Sequence, residues 1–226
     1  MTTPLVSIVT PSFNYAAFLP ACVASVRAQH YARIEHLVQD GGSTDGTAEL
    51  LARLAAEAPL DYRVERDAGQ ADAINRGFVR ARGEILAWLN ADDFYLGPDV
   101  VAEAVEALAD PAVDVVTAGG RYVDASGAPQ GDIAAPHDLA RTLRYFDPVL
   151  QPATFWKRRV HRPARTDCHF TFDWRLFLDM AAAGARFDVR DRQWAAYRMH
   201  GVNKTAADPA RRRLEIADVL REQFGP

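Results

Sequence analysis

Three turns of this chain place acidic and small polar residues directly after short apolar segments. The turns begin at Pro11, Asp40 and Asn90, and each follows a segment with the β-branched, apolar composition of a buried strand. Because the carboxyl ends of parallel strands lie along one edge of a sheet, the three turns are predicted to converge there. The third turn contains two adjacent acids, Asp92 and Asp93.

Adjacent carboxylates such as Asp92 and Asp93 repel each other unless a cation or hydrogen-bond donors compensate. Mg²⁺ and Mn²⁺ bind to one or two carboxylates together with phosphate oxygens of a substrate. An Asp pair also precedes many helices as a cap, but Asp99 is the better cap for the helix that follows. We therefore favour a metal-linked role for this pair over a capping role.

The other polar turn residues have two interpretations each. Asp40 opens a glycine-rich turn, where an aspartate most often bonds its own backbone. That turn matches neither GxGxxG nor GxxxxGK[ST], which argues against a dinucleotide site or an ATP-hydrolysing site. Further along, Gln70 and Asp72 either cap a helix or hydrogen-bond a base or sugar, and the sequence favours neither.

Two candidate sites lie in the second half. Asp173 stands near the start of an apolar helix, between Phe172 and Trp174. It either complements the helix dipole or is a general base whose pKa is raised by its aromatic neighbours. Further on, a polar stretch contains a cluster of basic side chains, Arg198, His200 and Lys204. Such a stretch suits an anionic leaving group, or a neutral histidine that binds a metal.

Apolar periodicity predicts alternating strands and helices in the first half. The predicted strands are 6–10, 34–38, 62–65, 85–89 and 113–117, and the predicted helices are 18–29, 48–58, 71–81 and 99–108. This alternation predicts an α/β, Rossmann-type fold with a mostly parallel central sheet and helices on both faces. The second half is less regular, with a hairpin over 121–133, a strand over 194–199, and helices over 139–145, 172–183 and 209–223.

Composition limits the class of protein. The 226 residues are 49% hydrophobic, which fits one domain over 1–226. The net charge of -4 argues against a nucleic-acid-binding protein, because such proteins usually have a strong excess of positive charge. The only cysteines, Cys22 and Cys168, form no CxxC pair and predict a reduced, intracellular protein. The sequence has neither a signal peptide nor an apolar span of eighteen residues, so we expect a cytoplasmic location, with peripheral association at the inner face of a membrane left open.

Taken in order, these segments resemble family 2 glycosyltransferases of the GT-A fold, from about Val6 to Thr205. The resemblance rests on six ordered motifs: Val-Thr-Pro-Ser-Phe-Asn at 9–14, Gln-Asp-Gly-Gly-Ser-Thr-Asp-Gly-Thr at 39–47, Gly-Gln-Ala-Asp-Ala-Ile-Asn-Arg-Gly at 69–77, Leu-Asn-Ala-Asp-Asp at 89–93, Phe-Asp-Trp at 172–174 and Arg-Met-His-Gly at 198–201.

The resemblance implies transfer of a sugar, with inversion, from a nucleotide-diphosphate sugar to an acceptor hydroxyl. The expected donor is a UDP-sugar, bound by residues 1–118 of the GT-A domain. The expected acceptor is a glycan or lipid-linked sugar, bound by the less regular second half of that domain, residues 119–226. Mn²⁺ or Mg²⁺ is the implied cofactor, and cell-surface polysaccharide biosynthesis the implied context.

The resemblance also implies roles for individual residues. Asp173 matches the catalytic carboxylate, Asp92 the metal ligand with Asp93 as its alternative, and His200 a contact to the metal or pyrophosphate. The expected donor-binding residues are Pro11, Phe13, Asn14, Asp40, Gln70, Asp72, Asn75, Asn90, Asp92, Arg198 and Lys204. Two positions depart from the family pattern: Asn90 replaces the first Asp of the usual Asp-x-Asp, and Gly41 replaces an Asp that many members have after Asp40.

Two other interpretations compete with sugar transfer. A nucleotidyltransferase that makes a sugar nucleotide requires a glycine-rich, basic phosphate loop near the N-terminus, which the turn at 11–14 does not supply. A non-catalytic sugar-nucleotide-binding or glycan-binding module does not require the paired acids together with Asp173, but only a turnover assay separates it from an enzyme.

Overall fold

A nine-stranded sheet organises the residues that this computed structural model describes, namely 3–201, 204 and 208–225. The strands are β1 Val6–Ser12, β2 Ile34–Asp40, β3 Asp61–Val64, β4 Ile85–Trp88, β5 Phe94–Tyr95, β6 Val115–Val123, β7 Pro129–Ile133, β8 Thr154–Lys157 and β9 Phe187–Arg198. The helices are α1 Leu19–Arg27, α2 Thr47–Glu57, α3 Gln70–Arg80, α4 Val100–Leu108, α5 Leu139–Thr142, α6 Phe172–Ala182 and α7 Pro209–Phe224.

The sheet has the order β3-β2-β1-β4-β8-β6-β9-β5, and β7 pairs with β6. In the first half, β1 lies parallel to both β2 and β4, and β2 lies parallel to β3. In the second half, β8 is antiparallel to its neighbours β4 and β6, whereas β9 runs parallel to β6. The predicted α/β fold class is confirmed, and the antiparallel pairs come from the less regular second half.

Helices cover both faces of the sheet because successive side chains of a strand point in opposite directions. On β1, Ile8 belongs to a buried cluster with side chains of α1 and α4, whereas the next residue, Val9, belongs to a cluster with α3 and α6. Both are fully buried. Helix α3 approaches β1 closely because residue 77 is a glycine: a Cβ there would collide with Val9.

The second half contains elements that the periodicity did not predict. The predicted hairpin is present as β6 and β7, but its first arm already begins at Val115 and so merges with the strand predicted over 113–117. Strand β9 begins at Phe187, seven residues before the predicted strand. Strand β8 was not predicted at all, and it separates β4 from β6. Residue 118, the predicted boundary between the donor and acceptor halves, lies within β6.

No helix in the part of the chain that the structure describes is both long and apolar enough to cross a membrane.

Candidate functional site

The first two predicted turns lie side by side at the carboxyl ends of β1 and β2, where Ser12 pairs with Asp40. Asn14 joins the two turns. Its backbone N–H donates to Ser43 Oγ at 2.7 Å, and its Oδ1 accepts from the backbone N–H of Thr44 at 2.9 Å. Asn14 has a φ of 58°, a left-handed conformation that asparagine tolerates better than most residues. Phe13, next to it, is exposed at this edge.

The Asp40 carboxylate shapes its own turn. It is fully buried, its Oδ1 accepts from the backbone N–H groups of Gly42 and Ser43 at 3.0 and 2.8 Å, and its Oδ2 accepts from Ser43 Oγ at 2.6 Å. This is the turn-forming role that the sequence offered as one of two. A contact between Asp40 and a donor base stays a prediction.

Gly41 has a structural reason to lack the second acid of the family pattern. A Cβ at this position would lie 2.8 Å from Asp67 Oδ2 and 3.2 Å from the Phe13 ring. A side chain at 41 would therefore crowd the Asp67 carboxylate, which would have to move to make room for it. Burial raises the pKa of Asp67, an effect that its hydrogen bond from Gly69 N–H partly opposes. The sequence analysis did not single out Asp67.

The third turn presents Asp92 to His200. Asp92 Oδ2 accepts a hydrogen bond from His200 Nε2 at 3.0 Å, and the two side chains are 13% and 3% exposed. The imidazole stacks on Phe18, with ring centroids 4.5 Å apart, and meets Tyr15 edge-on at 5.8 Å. Two residues that are 108 positions apart in sequence are thus held together.

Asp93 points away from this pair into the protein and is only 2% exposed. Its Oδ1 accepts from the backbone N–H of Arg198 at 3.1 Å, and its Oδ2 accepts from Asn90 Nδ2 at 3.1 Å. Burial, and next the charge of Asp92, raise the pKa of Asp93 well above its usual range. These contacts give Asp93 a role in joining the third turn to the end of β9.

Arg198 is buried beneath the third turn. Its guanidinium donates to the carbonyl of Asp92 at 2.8 Å and to the carbonyl of Ala125 at 2.8 Å, and it lies 5.2 Å from the ring centres of Phe18 and Phe94. Cation–π contacts of this kind stabilise a desolvated guanidinium. The observed contacts tie the β6–β7 hairpin and the third turn together. The predicted contact of Arg198 with a donor stays a prediction.

Asn90 lies at the centre of a hydrogen-bond network, which we call the Asn90 network, consisting of Gln70, Trp88, Asn90, Asp93 and Gln151. Gln70 connects it to Lys204, whose Nζ donates to Gln70 Oε1 at 3.1 Å and lies 4.7 Å from the Phe172 ring centre. Burial lowers the pKa of Lys204 to about 8, and the charge of Asp173 opposes that effect.

Asp173 lies in the first turn of α6, close enough to Lys204 for the two charges to interact. Burial raises the pKa of Asp173, while a hydrogen bond from the backbone N–H of Trp174 at 2.8 Å and the charge of Lys204 act in the opposite direction. Trp174 also donates its indole N–H to the carbonyl of Leu143 at 2.6 Å, which fixes the following loop against α6.

That loop brings a second carboxylate, Asp147, into electrostatic contact with Asp173. Asp147 is accessible to solvent, and partial burial of its carboxyl group, together with the charge of Asp173, raises the pKa of Asp147. Interacting carboxylates titrate as a pair and are frequent at functional sites. The sequence analysis missed Asp147, because a single Asp before Pro148 is typical of a turn.

The other predicted donor-binding residues bond mainly to the protein itself. Asn75 exchanges two hydrogen bonds of 2.8 Å with the backbone of Ala164. Asp72 pairs with Arg76 at 2.8 Å and accepts from the backbone N–H of Ala68 at 2.9 Å, which is the capping interpretation. Pro11 is buried within β1. Donor contacts by these residues stay predictions.

A divalent metal has a partial set of ligands here. Among the residues described, no three or more His, Cys, Asp or Glu side chains form a metal-binding group, and Asp93 is turned away. Asp92 and His200 would hold a metal together once the proton of their hydrogen bond is lost, because a coordinating imidazole nitrogen must be deprotonated. Their observed separation is 3.0 Å. Mn²⁺ accepts this mixed oxygen and nitrogen set, and diphosphate oxygens would supply further ligands.

Solved structures identify the class of fold. The chain superposes on the mannosyltransferase PcManGT of Pyrobaculum calidifontis, solved with GDP-Man and Mn²⁺, with a TM-score of 0.73 and 24% identity over 99% of this chain and 64% of that one. It also superposes on S. aureus TarS 1-349 in complex with UDP-GlcNAc, with a TM-score of 0.75 and 17% identity over 97% of this chain and 65% of that one. The fold is that of a GT-A glycosyltransferase.

The sequence comparisons give the family. Residues 7–181 match the profile of Glycosyl transferase family 2, and the chain belongs to that family. An uncharacterized glycosyltransferase of Mycobacterium tuberculosis is 47% identical over 109 residues, which is 47% of this chain and 41% of that protein. One of Nostoc sp. is 27% identical over 220 residues, 88% of this chain and 66% of that protein. A PGL/p-HBAD biosynthesis glycosyltransferase of Mycobacterium bovis is 38% identical over 104 residues, 45% of this chain and 41% of that protein. The chain thus spans about two fifths to two thirds of the length of these relatives.

Proposed function

We propose that this glycosyltransferase transfers a sugar from a nucleotide-diphosphate sugar to an acceptor hydroxyl, with inversion at the anomeric carbon. The observation on which the proposal depends is the position of Lys204. It bonds Gln70 in the Asn90 network, beside the Asp92–His200 pair, and it interacts electrostatically with Asp173. One cation therefore links a candidate diphosphate site to a candidate base.

In the proposed reaction, Asp173 accepts the proton of the acceptor hydroxyl as that oxygen attacks the anomeric carbon. The bond between this carbon and the diphosphate oxygen breaks, and its electron pair leaves with the nucleoside diphosphate. Burial raises the pKa of Asp173, which makes its carboxylate a stronger base. The ammonium of Lys204 stabilises the negative charge that develops on the leaving group.

Asp92 and His200 are the residues proposed to hold Mn²⁺ or Mg²⁺. Such a cation supplies charge neutralisation on a diphosphate. The Mn²⁺ in the PcManGT complex supports a cation in this fold. We expect a UDP-sugar as the donor, although the two neighbours bind different nucleotide sugars, GDP-Man and UDP-GlcNAc.

We assign most donor contacts to residues 1–118, with Arg198, His200 and Lys204 completing the diphosphate site, and acceptor binding to residues 119–226. The expected acceptor is a glycan or a lipid-linked sugar, and the expected context is cell-surface polysaccharide biosynthesis at the inner face of the membrane. The similarity to the PGL/p-HBAD biosynthesis glycosyltransferase of Mycobacterium bovis supports a role in biosynthesis.

The test is a turnover assay with purified protein, a panel of UDP- and GDP-sugars, glycan and lipid-linked acceptors, and Mn²⁺. We expect release of nucleoside diphosphate that requires an acceptor. Asp173→Asn should lower kcat by about 10²- to 10⁴-fold without weakening donor binding. The matched control is Asp179→Asn, in the same helix, where the carboxylate is 40% exposed and pairs only loosely with Arg165.

Release of pyrophosphate instead of nucleoside diphosphate would support a nucleotidyltransferase. Donor binding without turnover across the panel would support a binding module. Full activity of Asp173→Asn would remove this residue from the mechanism.

A further inference from the structure

Asn90 uses every hydrogen-bonding position of its side-chain amide. Its Oδ1 accepts from Trp88 Nε1 at 2.7 Å and from Gln70 Nε2 at 2.9 Å, and its Nδ2 donates to Asp93 Oδ2 at 3.1 Å and to Gln151 Oε1 at 3.2 Å. The indole N–H can only donate, so it identifies the Asn90 atom that faces it as the oxygen. The nitrogen must then face Asp93.

The partners of Asn90 are themselves fixed by further hydrogen bonds. Gln151 donates its Nε2 to the carbonyl of Trp88, which orients its Oε1 towards Asn90. Asp93 uses its second oxygen to hold the backbone N–H of Arg198. Two residues beyond Arg198, the chain places His200 against Asp92. The Asn90 network thus connects Gln70 and Lys204 to the strand end that presents His200.

An aspartate at position 90 would not serve in this network. It could still accept from Trp88 and Gln70, but it has no N–H to donate to Asp93 and Gln151. It would also place a second carboxylate against the buried Asp93, at the point where Asn90 Nδ2 now donates to Asp93 Oδ2. Buried like charges are costly, and so is a buried acceptor without its donor.

We propose that Asn90 is a positioning residue that must be an amide: it fixes Asp93, and through Asp93 it aligns the Asp92–His200 pair, instead of contacting the donor itself. On this view, the departure from the two-acid motif is required by the neighbours of residue 90. This inference rests on the proposed function, because alignment of that pair matters only if the pair acts on a diphosphate.

The test is a reciprocal exchange. Asn90→Asp should lower kcat/KM for the donor by about 100-fold, because two hydrogen bonds are lost in a buried site. Asp93→Asn, a milder change that adds no charge, should lower it about tenfold. The double variant Asn90→Asp/Asp93→Asn should recover at least about tenfold over Asn90→Asp, because residue 93 then donates to residue 90 while its oxygen still accepts from Arg198 N–H.

Each outcome decides something different. If Asn90 contacts the donor directly, the double variant will be no more active than Asn90→Asp, and the inference fails. Asp93→Asn with wild-type kcat/KM also overturns it. If the wild-type protein turns over no donor, the proposed function fails instead. In that case the melting temperatures of the four proteins still test the network, because the two substitutions must be less damaging together than their separate effects add up to.

Discussion

The strongest single test of how the site is held concerns Glu215, a buried residue of α7 that lies outside the matched family region. Its carboxylate accepts from three consecutive backbone N–H groups that precede α6: from His169 at 2.9 and 3.0 Å, from Phe170 at 2.7 Å and from Thr171 at 3.3 Å. These N–H groups belong to the turn that leads directly into α6, which begins at Phe172. Glu215 therefore holds the turn from which the helix containing Asp173 starts.

The perturbation is Glu215→Gln, which keeps the shape and one acceptor oxygen but removes the charge. Hydrogen bonds to a charged group contribute about 1.5–3 kcal/mol, against about 1 kcal/mol for neutral ones. Because the hydrogen bonds from three N–H groups would each lose a charged acceptor, we expect a loss of about 2–3 kcal/mol in the free energy of unfolding. For a domain of this size that corresponds to a fall in Tm of about 4–12 °C.

The pH dependence of this difference gives a second readout. Burial by itself would raise the pKa of Glu215, but the hydrogen bonds from Phe170, His169 and Thr171 lower it below its ordinary value. A carboxylate with a lowered pKa contributes stability above its unfolded pKa of about 4.3 and loses that contribution as the pH falls through the folded pKa. The Tm difference should thus be constant from pH 6 to 8 and shrink below about pH 4.

The matched control is Asp218→Asn in the same helix, where the carboxylate is 51% exposed and pairs only with the exposed Arg221. Its effect on Tm should be about 2 °C or less. In turnover assays, Glu215→Gln should lower kcat about 10- to 100-fold with little change in donor Kd, because the turn that contains Asp173 shifts. A Tm within 2 °C of wild type, or a deficit that acid does not reduce, would refute the role of Glu215 in holding the turn before α6.

Three further predictions concern the cleft and its support. Asp92→Ala should weaken the binding of nucleoside diphosphate in the presence of Mn²⁺ by about tenfold or more, and a chelator should abolish this difference from wild type. If a chelator leaves donor binding and turnover intact, the metal assignment is wrong. Burial lowers the pKa of Lys204 to about 8, so its charge is present below that pH and lost above it. The kcat/KM for the donor should therefore decline above about pH 8, and Lys204→Arg, which stays charged, should move this decline to higher pH. If the decline stays at the same pH in Lys204→Arg, another group causes it. Gly77→Ala should lower the free energy of unfolding by about 1–3 kcal/mol in denaturant, because the added Cβ collides with Val9. An unchanged midpoint denaturant concentration would show that α3 shifts on β1 without cost.

Much of this architecture could be predicted from apolar periodicity and from the order of the motifs. The strands that end at the three polar turns are buried and regular, so their spacing shows clearly in the sequence. Strand β8 is different, because its four residues directly follow a 3-10 turn that contains Pro152, and a segment this short has no resolvable period. The first part of β9 has only two apolar residues, Phe187 and Val189, before a polar run over 190–193, so its alternation is too short to indicate a strand that starts at Phe187.

The site was predictable to the level of which segments meet, but not to the level of which way their side chains point. Asp92 and Asp93 are neighbours in the sequence, yet one faces His200 and the other is buried against the backbone of Arg198. Only long-range pairing decides between these orientations. Arg198 shows the same limit, since an arginine in a polar stretch indicates an anion site, whereas the described hydrogen bonds of its guanidinium go to backbone carbonyls.

The same reason explains the residues that sequence analysis missed. Glu215 stands four residues after Arg211, with which it forms an ion pair typical of a helix surface. Nothing local indicates that its carboxylate reaches the start of α6. Asp147 likewise becomes notable only because the Leu143–Trp174 hydrogen bond brings its loop against Asp173.

The path of the chain through β6 limits how proteins of this kind can be recombined. This strand runs unbroken through residue 118, and β8, which comes later in the chain, is inserted between it and β4. A cut at residue 118 would leave each fragment with unsatisfied backbone along a broken sheet, so neither piece should fold when expressed alone. Exchanges between relatives are therefore more readily made at loops, such as the turn between β6 and β7, than between whole halves.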